Sequence, residues 1–375
     1  MKSKLSISVH AGSLGDSKFK GITNPIYTSA AYDYLDVKEV RYPRYFNTPN
    51  QQAVAAKVAA LEQTEDALIF SSGMAAIMTA LMAFLKTGDH AILQSDLYGG
   101  TYHALINELP RYGIEFDFAD GQNIESFQSL IKSNTRVIYI ETPSNPLLKI
   151  TDIAGVAKIA KAHNIITLID NTFASPINQN PYTLGIDIVL HSATKYLGGH
   201  SDLSAGVAAA STTHIKQIWE SAIHFGGHLE ALSCYLLERS IKTLAIRVKQ
   251  QNVNAMEVAR FLASHHGIKA VYYPGLEDHP NHEVAKAQMP GGFGGMLSFE
   301  PVIDAKVFAS KLKLIKTAIS LGGVESTISS PMLTSHAKMS AADRAKAGIA
   351  DNLLRFSVGI EEPQDLIDDL TQAMN

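Results

Sequence analysis

Between residues 54 and 61 the apolar side chains Val54, Val58 and Leu61 recur every three or four positions, the spacing of one helical face. Beyond them, short unbroken apolar runs alternate with longer helical stretches. ALIF (67–70) leads into SSGMAAIMTALMAFL (71–85), and HAILQ follows at 90–94. RVIYIE (136–141) precedes the helical stretch IAGVAKIAKAHN (153–164), then IITLID (165–170), and DIVLHS (187–192) is a further strand-like run. Strands that are apolar throughout, with helices between them, predict a parallel sheet covered on both faces. Active sites of such sheets lie beyond the carboxyl ends of the strands. Four polar loops fall at such ends: SSG (71–73), ETPSNP (141–146), DNTF (170–173) and HSATK (191–195).

The flanks read differently. The first 50 residues look irregular, and YPRYFNTPNQQ (42–52) suits neither helix nor strand. Five aromatics between Tyr32 and Phe46 argue against disorder, so this stretch reads as an arm that packs on another subunit. After residue 232 one long helical run, ALSCYLLERSIKTLAIRVKQQNVNAMEVARFLASH, carries no proline and stops at HHG. YYPG, the flexible GGFGG (291–295), strand-like MLSFE and LLRFSVGIE follow, a texture that predicts a smaller α/β domain. The expected division is an arm over residues 1–50, a large domain over 51–234 and a small one over 235–375.

At 375 residues the chain exceeds what one core usually organises, which agrees with two domains. A net charge of −4 with no basic run speaks against nucleic acid or an anionic membrane as partner. The longest apolar stretch, AAIMTALMAFL (75–85), is too short to span a bilayer. The opening MKSKLSISVHAG lacks the apolar run of a signal peptide, and the single cysteine, Cys234, cannot form an intrachain disulfide. A cytoplasmic protein is expected.

Ser71 or Ser72 can cap a helix beginning near Gly73, whose free N–H groups would seat a phosphate; a plain strand-to-helix turn explains the string as well. The nucleotide-binding motif G-x-x-x-x-G-K-[ST] is absent. Asp170 ends a buried strand, where a carboxylate is costly without a cationic partner such as a protonated ring nitrogen, though a turn-capping role is the simpler reading. Lys195 could be a solvated surface charge, the lysine of an S-x-x-K acylation pair with Ser192, or an amine that bonds a carbonyl cofactor. The acylation reading lacks its companion motifs: only SDL at 201 and KTL at 242 occur. HPNHE (279–283) reads as a polar turn, and no ligand spacing for a metal is found. Arg355, inside LLRFSVG, is either a snorkelling strand residue or a bidentate clamp for a carboxylate.

Eight strings in order, YPRYFNTP, SSGMAA, LYGGTY, ETPSNP, DNTFASP, HSATKYLGGHSD, SLGGVES and LLRFSVGIE, resemble the Cys/Met-metabolism family of pyridoxal-phosphate enzymes. Cystathionine β- and γ-lyases, cystathionine γ-synthase, methionine γ-lyase and the O-acylhomoserine sulfhydrylases belong to it. The resemblance covers nearly the whole chain. It implies the aspartate-aminotransferase fold (fold type I), with a mainly parallel seven-stranded sheet in the large domain and a homotetramer built from two active dimers. It implies pyridoxal 5′-phosphate as cofactor and a small sulfur amino acid as substrate. By position, Lys195 resembles the lysine that bonds the cofactor's aldehyde and moves the Cα proton. Asp170 resembles the partner of the ring nitrogen, and Tyr98 the ring that stacks on the cofactor. The N–H groups of Gly73 and Met74, with the hydroxyls of Ser192 and Thr194, resemble the phosphate cradle. Tyr42 and Arg44 resemble the pair that reaches the phosphate of a neighbouring subunit. Arg355 resembles the clamp for the substrate carboxylate, helped by Ser320 and Asn145.

Two positions bear on the reaction. Gly100 stands where methionine γ-lyases typically carry cysteine. Ile319 stands where γ-synthases and many γ-lyases carry glutamate, and an apolar residue there is more like the β-lyases. The resemblance therefore implies a carbon–sulfur lyase that cleaves cystathionine, with β-elimination ahead of γ-elimination and synthesis. A non-catalytic binding protein on the same fold is the rival from another class.

Overall fold

The computed structural model describes residues 3–16, 18–335, 337, 344 and 347–375. Helix α1 (Lys4–His10) packs on α2 (Pro49–Glu62), so the expectation of an irregular first 50 residues fails at its start. Two lysines stitch this pair end to end. Lys4 Nζ donates to the Leu61 carbonyl at the end of α2, and Lys57 Nζ donates to Ser8 O and Val9 O at the end of α1, at 3.1 and 3.3 Å. Each ammonium thereby satisfies carbonyls that a helix terminus leaves unpaired. The arm between α1 and α2 exposes Phe19, Ile22, Tyr34 and Leu35, with Ile22 95% accessible.

The first sheet contains β1 (Asp66–Phe70), β2 (His90–Gln94), β3 (Glu115–Ala119), β4 (Thr135–Glu141), β5 (Ile166–Asp170), β6 (Ile188–Ser192) and β7 (Gly206–Ala210). Its order is β1-β7-β6-β5-β4-β2-β3, and only β7 runs antiparallel to its neighbours. Helices between the strands cover both faces. Leu168, Leu190 and Ala208 share one core with α3 (Gly73–Phe84), while Ile169 and Val189 meet α6 (Ile153–Ala162) on the other. The carboxyl ends of β1, β4, β5 and β6 therefore lie along one edge.

Two strands of this sheet were not visible in the sequence. β3 reads EFDFA, an edge strand, and β7 reads GVAAA, whose small residues have little strand preference. Tertiary pairing makes β7 a strand: β1 and β6 flank it, and a Cβ on Gly206 would lie 2.0 Å from Ser72 O.

The single long helix expected after residue 232 is two helices, α9 (Ala231–Ile241) and α10 (Leu244–Ser264). Arg247 accounts for the break. Its guanidinium binds the terminal Ser240 carbonyl at 3.0 Å and Tyr196 O at 2.9 Å. That contact fixes the loop after β6, and Gly199 (φ +67°) leaves the space, since a Cβ there would lie 1.9 Å from Arg247 Nη1.

The second sheet has the order β10-β11-β12-β9-β8, from β8 (Ile268–Tyr272), β9 (Met296–Pro301), β10 (Lys316–Thr317), β11 (Thr327–Ser329) and β12 (Leu354–Ser357). The strap between β10 and β11 leans on the first sheet: a Cβ on Gly322 (φ +75°) would lie 2.8 Å from Tyr196 N. No helix among the described residues is long and apolar enough to cross a membrane.

Candidate active site

β1 ends at Phe70, and Ser72 Oγ accepts from Ala75 N at 3.1 Å to start α3. The amino end of α3 points at the end of β6, so close that a Cβ on Gly73 would meet Ser192 Cβ at 2.8 Å and Ser192 Oγ at 3.1 Å. A glycine is required here to bring a helix terminus, with its free N–H groups, against a serine hydroxyl.

Asp170 ends β5 and is buried. Burial raises its carboxyl above the usual range, opposed by Thr172, which donates its backbone N–H at 3.0 Å, and by the positive charges of His191 and Lys195. Thr172 Oγ1 accepts from Ser192 N at 2.8 Å and ties the ends of β5 and β6 together. Below this pair His191 Nε2 meets Glu62 Oε1 at 2.5 Å, both side chains buried.

Lys195 sits one turn past β6, its N–H donating to Ser192 O at 3.1 Å. Its ammonium is pushed down to about 8, mainly by burial and then by Arg355, against the pull of Asp170. Lys195 Nζ donates to Ser320 Oγ at 2.7 Å. Thr194 Oγ1 donates to Ala205 O and accepts from Ala205 N, so contact with a bound anion requires that hydroxyl to rotate.

Arg355 lies in β12, with Nη1 on Asn145 Oδ1 at 3.0 Å and Nη2 on Ser320 O at 3.3 Å. Burial pushes its guanidinium down to about 10, so it stays charged at neutral pH. It has no salt bridge among the described residues. A buried cation without a carboxylate beside it is a receptor for one.

These groups line one cavity of about 700 Å³. It gathers Gly73, Met74, Tyr98, Asn145, Asp170, Ser192, Thr194, Lys195, Ser320 and Arg355. Tyr98 stands at the start of α4 (Gly99–Glu108), 43% accessible, its ring folded over Gly100, where a Cβ would lie 2.5 Å from Tyr98 Cε1. Ile319 forms part of the mouth. Tyr42 and Arg44 do not line it. Arg44 donates to Ile223 O on α8 (Thr212–Phe225) and lies over the Tyr42 and Tyr45 rings at 5.7 and 5.5 Å. Sequence reasoning missed Glu141 and Thr172. Both stand within the strand-end loops it singled out, but each also binds a residue of another segment, Glu141 the Tyr98 N–H and Thr172 the Ser192 N–H.

The cavity suits pyridoxal phosphate end to end. A helix terminus with Ser192 can take the phosphate, buried Asp170 calls for a cation such as a protonated ring nitrogen, and Lys195 offers a readily deprotonated amine. Bound there, the cofactor supplies an aldehyde for the substrate amine and a ring that takes up the electron pair left at Cα. Fold and site together define a pyridoxal-phosphate enzyme of the aspartate-aminotransferase type. The chain belongs to the Cys/Met metabolism PLP-dependent enzyme family, whose profile matches residues 6–375. It is 44% identical over 380 residues to a cystathionine gamma-lyase of Bacillus subtilis (strain 168), covering 99% of each chain. It is 43% identical over 376 residues to a cystathionine beta-lyase of Lactococcus lactis subsp. cremoris (strain MG1363), covering 98% of this chain and 97% of the relative. The crystal structure of cystathionine gamma-lyase from Lactobacillus plantarum complexed with L-serine superposes with a TM-score of 0.95 at 38% identity, covering 99% and 98% of the two chains.

Proposed function

We propose that this enzyme cleaves cystathionine by β-elimination, with water yielding homocysteine, pyruvate and ammonia. In this reading Arg355, braced by Asn145 and Ser320, clamps the substrate carboxylate. Lys195 takes the Cα proton, and the thiolate leaves Cβ with the bonding pair. Asp170 keeps the ring nitrogen protonated while Tyr98 stacks on the ring. The N–H groups of Gly73 and Met74 hold the phosphate with Ser192, and with Thr194 once its hydroxyl turns from Ala205. Tyr42 and Arg44 complete the phosphate seat of a neighbouring copy, two such dimers pair into a tetramer, and the enzyme works in the cytoplasm. The arm spans residues 1–50, the cofactor domain 51–234 and the small domain 235–375.

The make-up of the mouth carries the β assignment. Ile319 and Leu333 line it, 73% and 62% accessible, whereas the acidic lining residues Glu141 and Asp170 are buried at the base. Among the described residues a distal ammonium group finds no carboxylate at the mouth, which disfavours the substrate orientation needed for γ chemistry. Gly100 speaks against a methionine γ-lyase, because such enzymes typically carry cysteine at this position; here a Cβ would lie 2.5 Å from Tyr98 Cε1. A γ-lyase is the second reading, favoured by the name of the Bacillus relative at 44% identity. Incubation with cystathionine and identification of the keto acid decides between them: pyruvate with homocysteine is expected, and mostly 2-oxobutyrate with cysteine overturns the assignment.

A further inference from the structure

Glu141 has no part in the chemistry just described, yet it is 4% accessible and lies in the wall of the cavity. It ends β4 directly opposite Asp170 at the end of β5, so the two carboxylates share one face of the sheet. Two buried carboxylates side by side are unfavourable: burial and the charge of Asp170 both drive the Glu141 carboxyl well above its usual range. Such a group persists only when it does something a neutral residue cannot.

Its contacts show what that is. Glu141 Oε2 accepts from Tyr98 N at 2.8 Å, and Oε1 accepts from Asn145 N at 3.2 Å. One N–H belongs to the loop that carries the stacking ring. The other belongs to the residue whose Oδ1 receives Arg355 Nη1 at 3.0 Å. Arg355 continues to Ser320 O, and Ser320 Oγ receives Lys195 Nζ. An unbroken chain of hydrogen bonds thus runs from Tyr98 through Glu141, Asn145, Arg355 and Ser320 to Lys195. Only a carboxylate offers two acceptor oxygens from one side chain; a glutamine has one acceptor and would turn its NH₂ toward an N–H.

We propose that Glu141 is a positioning residue that sets the Tyr98 ring and the Arg355 clamp in register, so that cofactor stacking and substrate-carboxylate binding depend on one side chain. This rests on the reading of Tyr98 and Arg355 given above.

The test uses the loaded enzyme and Glu141→Gln, with L-cystathionine as substrate. Loss of one of the two hydrogen bonds that Glu141 accepts, with a buried N–H left unpaired, is expected to raise KM by about tenfold or more, with a smaller change in kcat. The visible circular dichroism of the bound cofactor should change while its absorption band persists, because the ring tilts without being lost. A residue that merely supports the fold would lower the melting temperature and leave both readouts unmoved, and that result overturns the proposal. Glu141→Asp keeps both acceptor oxygens but is one methylene short of spanning both N–H groups. It should show the same KM and dichroism changes more weakly, and serves if the glutamine variant does not fold; wild-type values in it overturn the proposal equally. A wild-type protein that shows no visible band overturns the underlying reading of the pocket, whereas a wild-type band with an unaltered Glu141→Gln enzyme overturns this inference alone.

Discussion

Lys195 Nζ and Ser320 Oγ lie 2.7 Å apart although 125 residues separate them, and this bond joins the loop after β6 to the strap of the second sheet. Ser320 holds φ +83°, a conformation that costs a residue with a side chain about 1 kcal/mol or more. A strained serine is kept where its hydroxyl has a task. Ser320→Gly removes the strain and the hydroxyl together. It should leave the protein at least as stable by thermal melting and lower kcat/KM about tenfold, the worth of one hydrogen bond to a charged group. Ser320→Ala should lose the same activity and also some stability, so the two variants separate strain from function.

The Lys195 amine attacks a carbonyl only when neutral. With its ammonium pushed down to about 8, the rate at which the cofactor-free protein takes up pyridoxal phosphate should climb through neutral pH and level off above pH 8. Arg355 is the second cause of that depression. A positive charge disfavours a second one, so removing it raises the lysine pKa. Arg355→Gln should therefore move the midpoint of the rate profile upward, toward the ordinary lysine range. Uptake followed by visible absorbance between pH 6 and 10 reads both effects, and an unmoved midpoint would show that burial alone sets the amine.

Gly73→Ala tests the phosphate seat. The new methyl would sit 2.8 Å from Ser192 Cβ and 3.0 Å from Ser192 Cα, a backbone atom that cannot swing away. Overpacking of this kind costs about 1–3 kcal/mol, and here it falls where α3 meets β6. Cofactor affinity measured by titration of the cofactor-free protein should fall at least tenfold, with a lower melting temperature.

Asp170, Ser192 and Lys195 were legible because each follows an apolar run that could only be a strand, and strand ends of a parallel sheet converge. Arg355 stood out as a cation inside another such run. What the sequence hid is set by distant contact. GVAAA becomes β7 through its place between β1 and β6, and the break between α9 and α10 needs Arg247 on the Ser240 carbonyl. Glu141 was in view as the first residue of ETPSNP, but its meaning comes from the N–H groups of Tyr98 and Asn145, which no spacing reveals. Thr194 reads as a phosphate ligand in the string HSATK, whereas folding commits its hydroxyl to Ala205.

Tyr42 and Arg44 offer the sharpest test of assembly. Trp219 Nε1 donates to Tyr45 O at 2.8 Å, and Arg44 reaches Ile223 O, so this part of the arm is docked on α8, outside the cavity of its own chain. If the pair serves a phosphate, it serves that of another copy, and in a two-fold dimer each site then draws on both chains. Arg44→Ala alone should retain Lys195 and lose cofactor on dialysis. Lys195→Ala alone should lack the visible band of the bound cofactor and show almost no turnover. Co-expressed or refolded together, the two form mixed dimers in which one site of two has an intact lysine and an intact arm. Random pairing at equal amounts makes half the dimers mixed, so activity should return to about a quarter of wild type per protomer. An arm that served its own chain would leave every site of the mixture defective, and activity would stay at the level of the separate variants.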